Sequence, residues 1–191
     1  MPKAMGTTLR TALLGGLAAA TLTVPQVAAS AGGTYEVRGA AEARAQVEAA
    51  LAASSFDWSA LSGKVTVHVR RGIATRAAPG QVWLDADLLD SGRFSWGVVL
   101  HEFGHQLDFL ALDDRDRQTL ARALGVKAWG CEPAGPTLAH RDQGCERFAS
   151  MVSWAHWPSA DNVFRPSSPL DESAAMSPRA FRALLADVLA D

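Results

Sequence analysis

The stretch from Val98 to Asp108, VVLHEFGHQLD, restricts the fold and chemistry of this chain more than any other, because it contains the pattern H-E-x-x-H. Residues four apart lie on the same face of a helix, so His101 and His105 can direct two imidazole nitrogens at one point. A tetrahedral Zn²⁺ ion takes its first two ligands in this way. Glu102 lies one step round the helix, where it can act as a general base on a water molecule without ligating the metal. The alternative is a core helix whose histidines form ordinary buried hydrogen bonds.

The motif requires a helix, and its surroundings favour one. Residues 96–110 contain no proline, and Ser95 is a favourable N-cap. Gly97 and Gly104 would allow a neighbouring strand to approach this helix closely. The rest of the pattern predicts helices at residues 40–53, 113–124, 146–157 and 179–189, and strands at residues 64–70 and 81–85. We therefore expect an α+β fold with a small sheet packed on the motif helix, and a loop at residues 71–80.

Composition and the N-terminus restrict the class of protein. The chain has 191 residues, which suits one domain, and a formal net charge of −2, which gives no electrostatic basis for nucleic-acid binding. Lys3 and Arg10 precede an apolar run at residues 12–24, and this run is too short for a membrane span. We expect a secretory signal peptide at residues 1–29, cleaved after Ala29 or Ala31, and a single secreted domain at residues 32–191 without stable membrane association. An uncleaved anchor is the alternative.

Two cysteines, Cys131 and Cys145, bound part of a loop rich in glycine and proline. Because an exported protein matures in an oxidising compartment, an even number of cysteines favours a disulfide between them. Two buried thiols or a metal-binding pair are the alternatives, although a thiolate zinc site would need further Cys or His at close spacing. We therefore expect a Cys131–Cys145 disulfide just before Glu146.

A catalytic zinc site has three protein ligands and one open position, so the two histidines need a third ligand from elsewhere in the chain. The metzincin arrangement is excluded because residue 111, six positions after His105, is alanine rather than histidine. Asp108 lies too far along the helix axis to share the metal easily, and we expect it to orient His105 or a neighbouring group. Three downstream residues remain as candidates for the third ligand: Glu146, His156 and Asp142.

Two segments of the chain resemble a known family: HEFGHxxD at residues 101–108, and ExFA at residues 146–149, about forty residues later. Together they resemble the gluzincin-type minimal zinc metallopeptidases, and within these the catalytic domain of anthrax lethal factor and its relatives. The resemblance covers roughly residues 81–157. It implies a zincin-like α+β fold, with Glu102 as the catalytic base and three ligands to one zinc ion: His101, His105 and Glu146.

The activity that this resemblance implies is hydrolysis of peptide bonds in a peptide or protein substrate, with one zinc ion per chain, and the predicted signal peptide makes the enzyme a secreted one. The family's tyrosine before the ligand glutamate has no counterpart, since Tyr35 is the only tyrosine. His140 is the expected oxyanion donor in its place, with Arg141 as the alternative, unless His140 is simply an exposed loop residue. We expect the strand at residues 81–85 to be an edge strand that pairs with an extended substrate. Two other functions remain open: a secreted zinc-binding or toxin-like module without general proteolytic activity, and a hydrolase of cell-wall amide bonds.

Overall fold

The computed structural model describes residues 35–130 and 139–190. Within them the chain forms a mixed α+β fold with six α-helices and one four-stranded sheet. The strands are β1 (Tyr35–Arg38), β2 (Val65–Arg70), β3 (Arg76–Ala78) and β4 (Gln81–Asp85). The helices are α1 (Ala41–Ala53), α2 (Ala86–Leu89), α3 (Phe94–Ala111), α4 (Asp114–Leu124), α5 (Gly144–His156) and α6 (Pro178–Val188). Short 3-10 turns occur at Trp58–Ala60, His140–Asp142 and Glu172–Ala174. The predicted signal peptide and Cys131 lie outside the described residues.

The sheet has the strand order β1-β2-β4-β3, in which β1, β2 and β4 are parallel and β3 runs antiparallel to β4. The alternating valines of β2 explain its orientation, because Val65, Val67 and Val69 are all buried on the face that meets the helices. Val82 and Leu84 of β4 continue this apolar face and are fully buried. The expected α+β class, with a small sheet packed on the motif helix, is confirmed.

The edge of this sheet differs from the prediction in two ways. Residues 71–80, expected to be a loop, contain β3, and β4 is not an edge strand because β3 pairs with its first three residues. The sequence of β3, Arg-Ala-Ala, has little β propensity of its own. A two-residue turn at Pro79 and Gly80, with Gly80 at a φ of 72°, folds it onto β4. The edge strand beside the motif helix is therefore β3.

Gln106 fixes this edge strand to α3, one residue after His105. Its side-chain oxygen accepts a hydrogen bond from the Gly80 amide at 2.8 Å. Its side-chain nitrogen donates to the carbonyls of Ala78 at 3.0 Å and Gln81 at 3.1 Å. Gln106 is fully buried, so breaking these bonds would leave polar groups without partners. The β3–β4 hairpin and the H-E-x-x-H helix thus form one connected unit.

Helix α3 begins at Phe94, two residues before the predicted start, and Ser95 is not its N-cap. The N-cap position is Arg93, and Ser95 already lies in the first helical turn. The Ser95 hydroxyl donates to the Gly92 carbonyl at 2.7 Å, as a serine within a first turn can do. The helix starts earlier because Gly92, at a φ of 70°, reverses the chain directly before it.

The two glycines of α3 permit close approaches, but not to a strand as predicted. A Cβ atom at Gly104 would lie 2.9 Å from the Ala149 Cα atom, so the backbones of α3 and α5 touch there. A Cβ atom at Gly97 would overlap the Asn162 side-chain oxygen, and therefore would not fit. These contacts bring α5 and the following segment against the motif helix, and so position the residues that they carry.

The remaining helices follow the predicted signals closely. Asp113 and Asp116 form a capping box at the start of α4, and Gly125 ends this helix at a φ of 69°. The Ser177 hydroxyl caps α6 by accepting a hydrogen bond from the Ala180 amide. The buried face of α6, Phe181, Leu185 and Val188, belongs to the same core as α5.

Candidate metal centre

The two histidines of the motif meet as their spacing predicts. The Nε2 atoms of His101 and His105 lie 3.1 Å apart, one turn from each other on α3. Both side chains are buried, with residue exposures of 5% for His101 and 6% for His105. Burying two imidazole nitrogens this close together costs free energy unless another group or an ion binds both of them, because water cannot solvate them in the interior.

Glu146 supplies a third donor atom from the first turn of α5. Its Oε2 atom lies 3.1 Å from Nε2 of His101 and 3.2 Å from Nε2 of His105. Two ligand atoms on a tetrahedral zinc ion, each about 2.0–2.1 Å from the metal, are separated by about 3.3 Å. The three donor atoms therefore have nearly the spacing of a zinc coordination sphere, and their chemistry, two imidazoles and a carboxylate, suits a divalent transition metal.

His140 is the fourth member of this cluster, and it comes from the 3-10 turn before α5. Its Nε2 atom lies 3.0 Å from Oε2 of Glu146, and its Nδ1 atom lies 2.6 Å from Oε1 of Glu172. The hydrogen bonds to these two carboxylates raise the pKa of His140 to about 10. His101, His140 and Glu146 form a group whose donor atoms all lie within 4.8 Å of one another and could hold a metal ion.

Ser150 and Glu172 connect the two sides of the cluster, and the sequence reasoning missed both. The Ser150 hydroxyl donates to Oε2 of Glu172 at 2.7 Å and lies 3.2 Å from Nδ1 of His101. Because this hydroxyl has already used its proton, it can only accept from an Nδ1–H of His101. That tautomer leaves the Nε2 lone pair of His101 directed at the cluster, as a metal ligand requires.

A sequence signal existed for Ser150 but not for Glu172. Ser150 follows Glu146 by four residues, so both lie on one face of α5. Glu172 lies in a segment rich in serine and proline that has no hydrophobic period. Only the tertiary fold brings it to the cluster.

Phe164 covers His101 on its other side. The two rings are stacked, with their centroids 4.6 Å apart and an interplanar angle of 8°. The buried side chain of Asn162 holds this segment in place, since it donates to the Trp157 carbonyl at 2.9 Å and accepts from the Phe164 amide at 2.9 Å. The segment after α5 thus forms one wall of the site.

Glu102 is buried beside the cluster with one carboxylate oxygen unsatisfied. Among the described residues, its Oε2 atom has no hydrogen-bond partner. Burial raises the pKa of Glu102 to about 7, although the positive charge of His105 opposes this shift. A carboxylate with this pKa can both accept and release a proton near neutrality, as a general base that later acts as an acid must do.

The charges within the cluster shift the pKa values of its members in different directions. Burial lowers the pKa of His101. Burial is the largest single effect on His105 and opposes its protonation, but its hydrogen bond to Glu146 and the nearby carboxylate charges together outweigh burial, so its pKa is raised. Burial alone would raise the pKa of Glu146, but the three surrounding imidazoles lower it well below the usual range. Glu146 is therefore held as a carboxylate, which is the form that ligates a metal.

Asp108 is buried, but its described hydrogen bonds go to residues other than the histidines. One carboxylate oxygen accepts from Nε of Arg117 at 2.8 Å, and the other accepts from Nε1 of Trp129 at 2.9 Å. Asp108 thus ties α3 to α4 and to the start of the loop before α5. Its predicted role in orienting His105 stays a prediction.

The two rival third ligands are not part of the metal-binding group of the described residues. His156 is buried at the end of α5, where its Nδ1 atom lies 3.2 Å from the Ser55 hydroxyl and its ring packs against Phe56. Asp142 is exposed in the 3-10 turn. Cys145 is buried directly before Glu146, but Cys131 lies outside the described residues, so the disulfide between them stays a prediction.

A comparison of the chain with protein-family models, with curated proteins and with solved structures found no match in any of the three. None of the helices in residues 35–130 and 139–190 is both long and apolar enough to cross a membrane.

Proposed function

We propose that this protein is a secreted zinc-dependent peptidase. The main support is the convergence of His101, His105 and Glu146 at separations of 3.1–3.2 Å, with the unsatisfied carboxylate of Glu102 beside them. Ligand atoms and a nearby uncoordinated carboxylate are the parts that metal-assisted hydrolysis needs. The order of these residues along the chain also agrees with the resemblance to gluzincin-type metallopeptidases.

In this proposal His101, His105 and Glu146 hold the metal, and His140 does not. The first three lie on two packed helices and are largely shielded, whereas the side chain of His140 is 59% exposed on a short turn. Three protein ligands leave the open position that catalysis requires. Bound zinc would supply Lewis-acid activation of a water molecule and of the scissile carbonyl.

The remaining residues would then handle protons, charge and substrate. Glu102 takes a proton from the attacking water and passes it to the leaving amine. His140 is held by Glu172 through Nδ1, and its Nε2–H would move from Glu146 to the oxyanion that develops on the scissile carbonyl once Glu146 ligates the metal. The antiparallel edge strand β3, rather than β4, would pair with an extended peptide.

A second candidate function follows from the position of His140. Its Nε2 atom lies only 3.0 Å from Oε2 of Glu146, close enough to join the same coordination sphere. Four protein ligands would make a closed, structural zinc site without a position for substrate. The protein would then be a secreted zinc-binding module without proteolytic activity.

Metal analysis combined with a peptide-library cleavage assay tests the proposal. Protein purified without added metal should contain one zinc ion per chain and should cleave members of the library. The Glu102→Gln variant should keep its zinc and lose roughly 10²–10⁴-fold in kcat, because it retains the shape of the base but not its basicity. Glu48→Gln, an exposed change on α1, is the matched control and should leave kcat unchanged. Protein that neither contains nor takes up zinc would refute the proposal.

A further inference from the structure

An open depression adjoins the metal cluster on the side of the segment after α5. Its volume is about 430 Å³, and its walls include Arg141, Phe164, Arg165, Leu170, Asp171 and Glu172. Two of these residues also contact the cluster: the Phe164 ring stacks on His101, and Glu172 binds His140 and Ser150. The depression therefore lies next to the place where the proposed peptidase would bind its substrate.

The acidic groups of the depression are already paired. Asp171 accepts hydrogen bonds from the amides of Ser167 and Ser168 and from the Ser167 hydroxyl. Both carboxylate oxygens of Glu172 are used, one by His140 and the other by Ser150. The charge of Glu172 is balanced by His140, whereas Asp171 stays a carboxylate whose acceptor sites are filled by neutral donors of its own segment.

The two arginines of the depression are not paired in this way. Neither the Arg141 nor the Arg165 guanidinium forms an ion pair within residues 35–130 and 139–190. Both residues are exposed, and each directly follows a residue of the site in sequence, His140 or Phe164. Two guanidinium groups at the wall of one depression provide the planar, fork-shaped donors that suit a carboxylate.

We propose that this depression binds a carboxylate of the substrate next to the scissile bond, with Arg141 and Arg165 as its ligands. The carboxylate belongs either to an acidic side chain or to the free C-terminus of the peptide. This inference depends on the proposed peptidase function, because it names the substrate class of the same site. The exposed apolar side chain of Leu170, at the rim, would contact the aliphatic part of the bound residue.

Matched peptides separate the two sources of the carboxylate. In the first pair both peptides have an amidated C-terminus, and one carries Glu and the other Gln beside the scissile bond. In the second pair all side chains are neutral, and one peptide has a free C-terminus whereas the other is amidated. For one of these pairs, kcat/KM should be about tenfold higher for the carboxylate form, the scale of one charged hydrogen bond. This preference should weaken as salt is added.

Charge variants then test the two arginines. Arg141→Gln and Arg165→Gln should each reduce the preference, and the double variant should abolish it. Arg165→Glu should disfavour the carboxylate form. Arg179→Gln removes an exposed arginine on α6, outside the depression, and should leave the preference unchanged. The proposal would be overturned if the double variant kept the parent's ratio of kcat/KM between carboxylate and neutral peptides, including by an equal loss of kcat/KM on both.

A binding measurement distinguishes failure of this inference from failure of the peptidase function. Zinc-loaded Glu102→Gln protein is titrated with a rhodamine-labelled alanine hexapeptide that carries one Glu, and with its Gln counterpart, both with free C-termini and as amides. Tighter binding of a carboxylate form that requires Arg141 and Arg165 supports the site even if the parent cleaves nothing. Cleavage of the library without any carboxylate preference, in kcat/KM or in binding, overturns the site and leaves the peptidase function intact.

Discussion

The two sides of the metal cluster are built differently. On one side, α3 and α5 present His101, His105 and Glu146 from packed helices, with the Gly104–Ala149 contact setting the distance between the two backbones. On the other side, called the loop side below, the turn at His140–Asp142 and the segment ending at Glu172 present their side chains from irregular backbone. The two histidines of the helix side are buried and the Glu146 side chain is 16% exposed, whereas the side chain of His140 is 59% exposed.

In the proposed peptidase the two sides have different roles. A metal ligand must hold its position without the metal's help, and helix packing provides that rigidity. A group that meets the substrate must be accessible, and a surface turn provides that access. Glu172 joins the sides, because one of its oxygens binds His140 and the other binds Ser150, which in turn contacts His101.

Removing a ligand from the helix side should have the largest effect. His105→Ala takes one of three nitrogen and oxygen donors from the cluster, so zinc should be lost during dialysis and peptide cleavage should be abolished. His68→Ala is the control, since His68 lies on the sheet, where it binds Gln81 and stacks on Trp83. Elemental analysis after dialysis gives the answer; a fully zinc-loaded His105→Ala protein would exclude His105 as a ligand.

Removing the His140 side chain from the loop side should instead leave zinc binding unchanged and slow catalysis. His140→Ala should lower kcat by about 10²–10³-fold, the usual cost of losing an oxyanion donor, while the zinc content stays at one per chain. If zinc is lost as readily as from His105→Ala, the site is closed and the protein is a zinc-binding module. If kcat is unchanged and Arg141→Ala is inactive, the donor is Arg141.

Removing the Ser150 hydroxyl, which links the two sides, should lower zinc affinity less than loss of a ligand does. Ser150→Ala removes the hydroxyl that contacts Nδ1 of His101, so zinc affinity should fall by roughly 10–100-fold, as is typical when the partner of a ligand is lost. Ser153→Ala is the matched control: this serine is also buried on α5, but its hydroxyl donates to the Gly97 carbonyl and contacts the Asn162 side chain rather than Nδ1 of His101. Competition with a zinc chelator measures both affinities. Equal affinities in the two variants would show that Ser150 does not position His101.

The helix side of the site could be predicted from the sequence because its spacing is periodic. His105 follows His101 by four positions, and one helical turn converts that spacing into two nitrogen atoms 3.1 Å apart. Glu146 was predicted through the resemblance of its segment, and α5 does bring it to the same point. Local periodicity also sufficed for most helices, whose predicted and observed bounds differ by one or two residues.

The loop side could not be predicted in the same way. Glu172 reaches the cluster only because Asn162 and the stacked Phe164 fold the chain back over His101. No local pattern encodes that return. The same reason explains the missed strand β3, whose pairing depends on a turn and on the buried hydrogen bonds of Gln106 to the hairpin. Ser95 was misassigned as a cap because the chain reversal at Gly92 precedes it.

His156, which lies on α5 outside the metal cluster, offers a last and smaller test through the pH dependence of stability. It is buried near the end of α5, its Nε2 atom has no hydrogen-bond partner among the described residues, and burial together with the charge of Arg182 lowers its pKa to about 4. An unfolded chain would protonate the same imidazole near its ordinary pKa of about 6.5. Between these two values the unfolded state binds more protons than the folded state, so the free energy of unfolding falls as the pH falls.

The expected loss from His156 is roughly 3 kcal/mol between pH 6.5 and pH 4, with little change from this residue above pH 7.5 or below pH 3. His156→Asn keeps a polar atom near the Ser55 hydroxyl but cannot take up the proton. Urea unfolding of zinc-loaded parent and variant at a series of pH values isolates the contribution, since the titration of the cluster is common to both. The difference in unfolding free energy between parent and variant should shift in favour of the variant as the pH is lowered. Parallel curves for the two proteins would mean that the folded state accommodates a protonated His156, through a water molecule or a local opening at the end of α5.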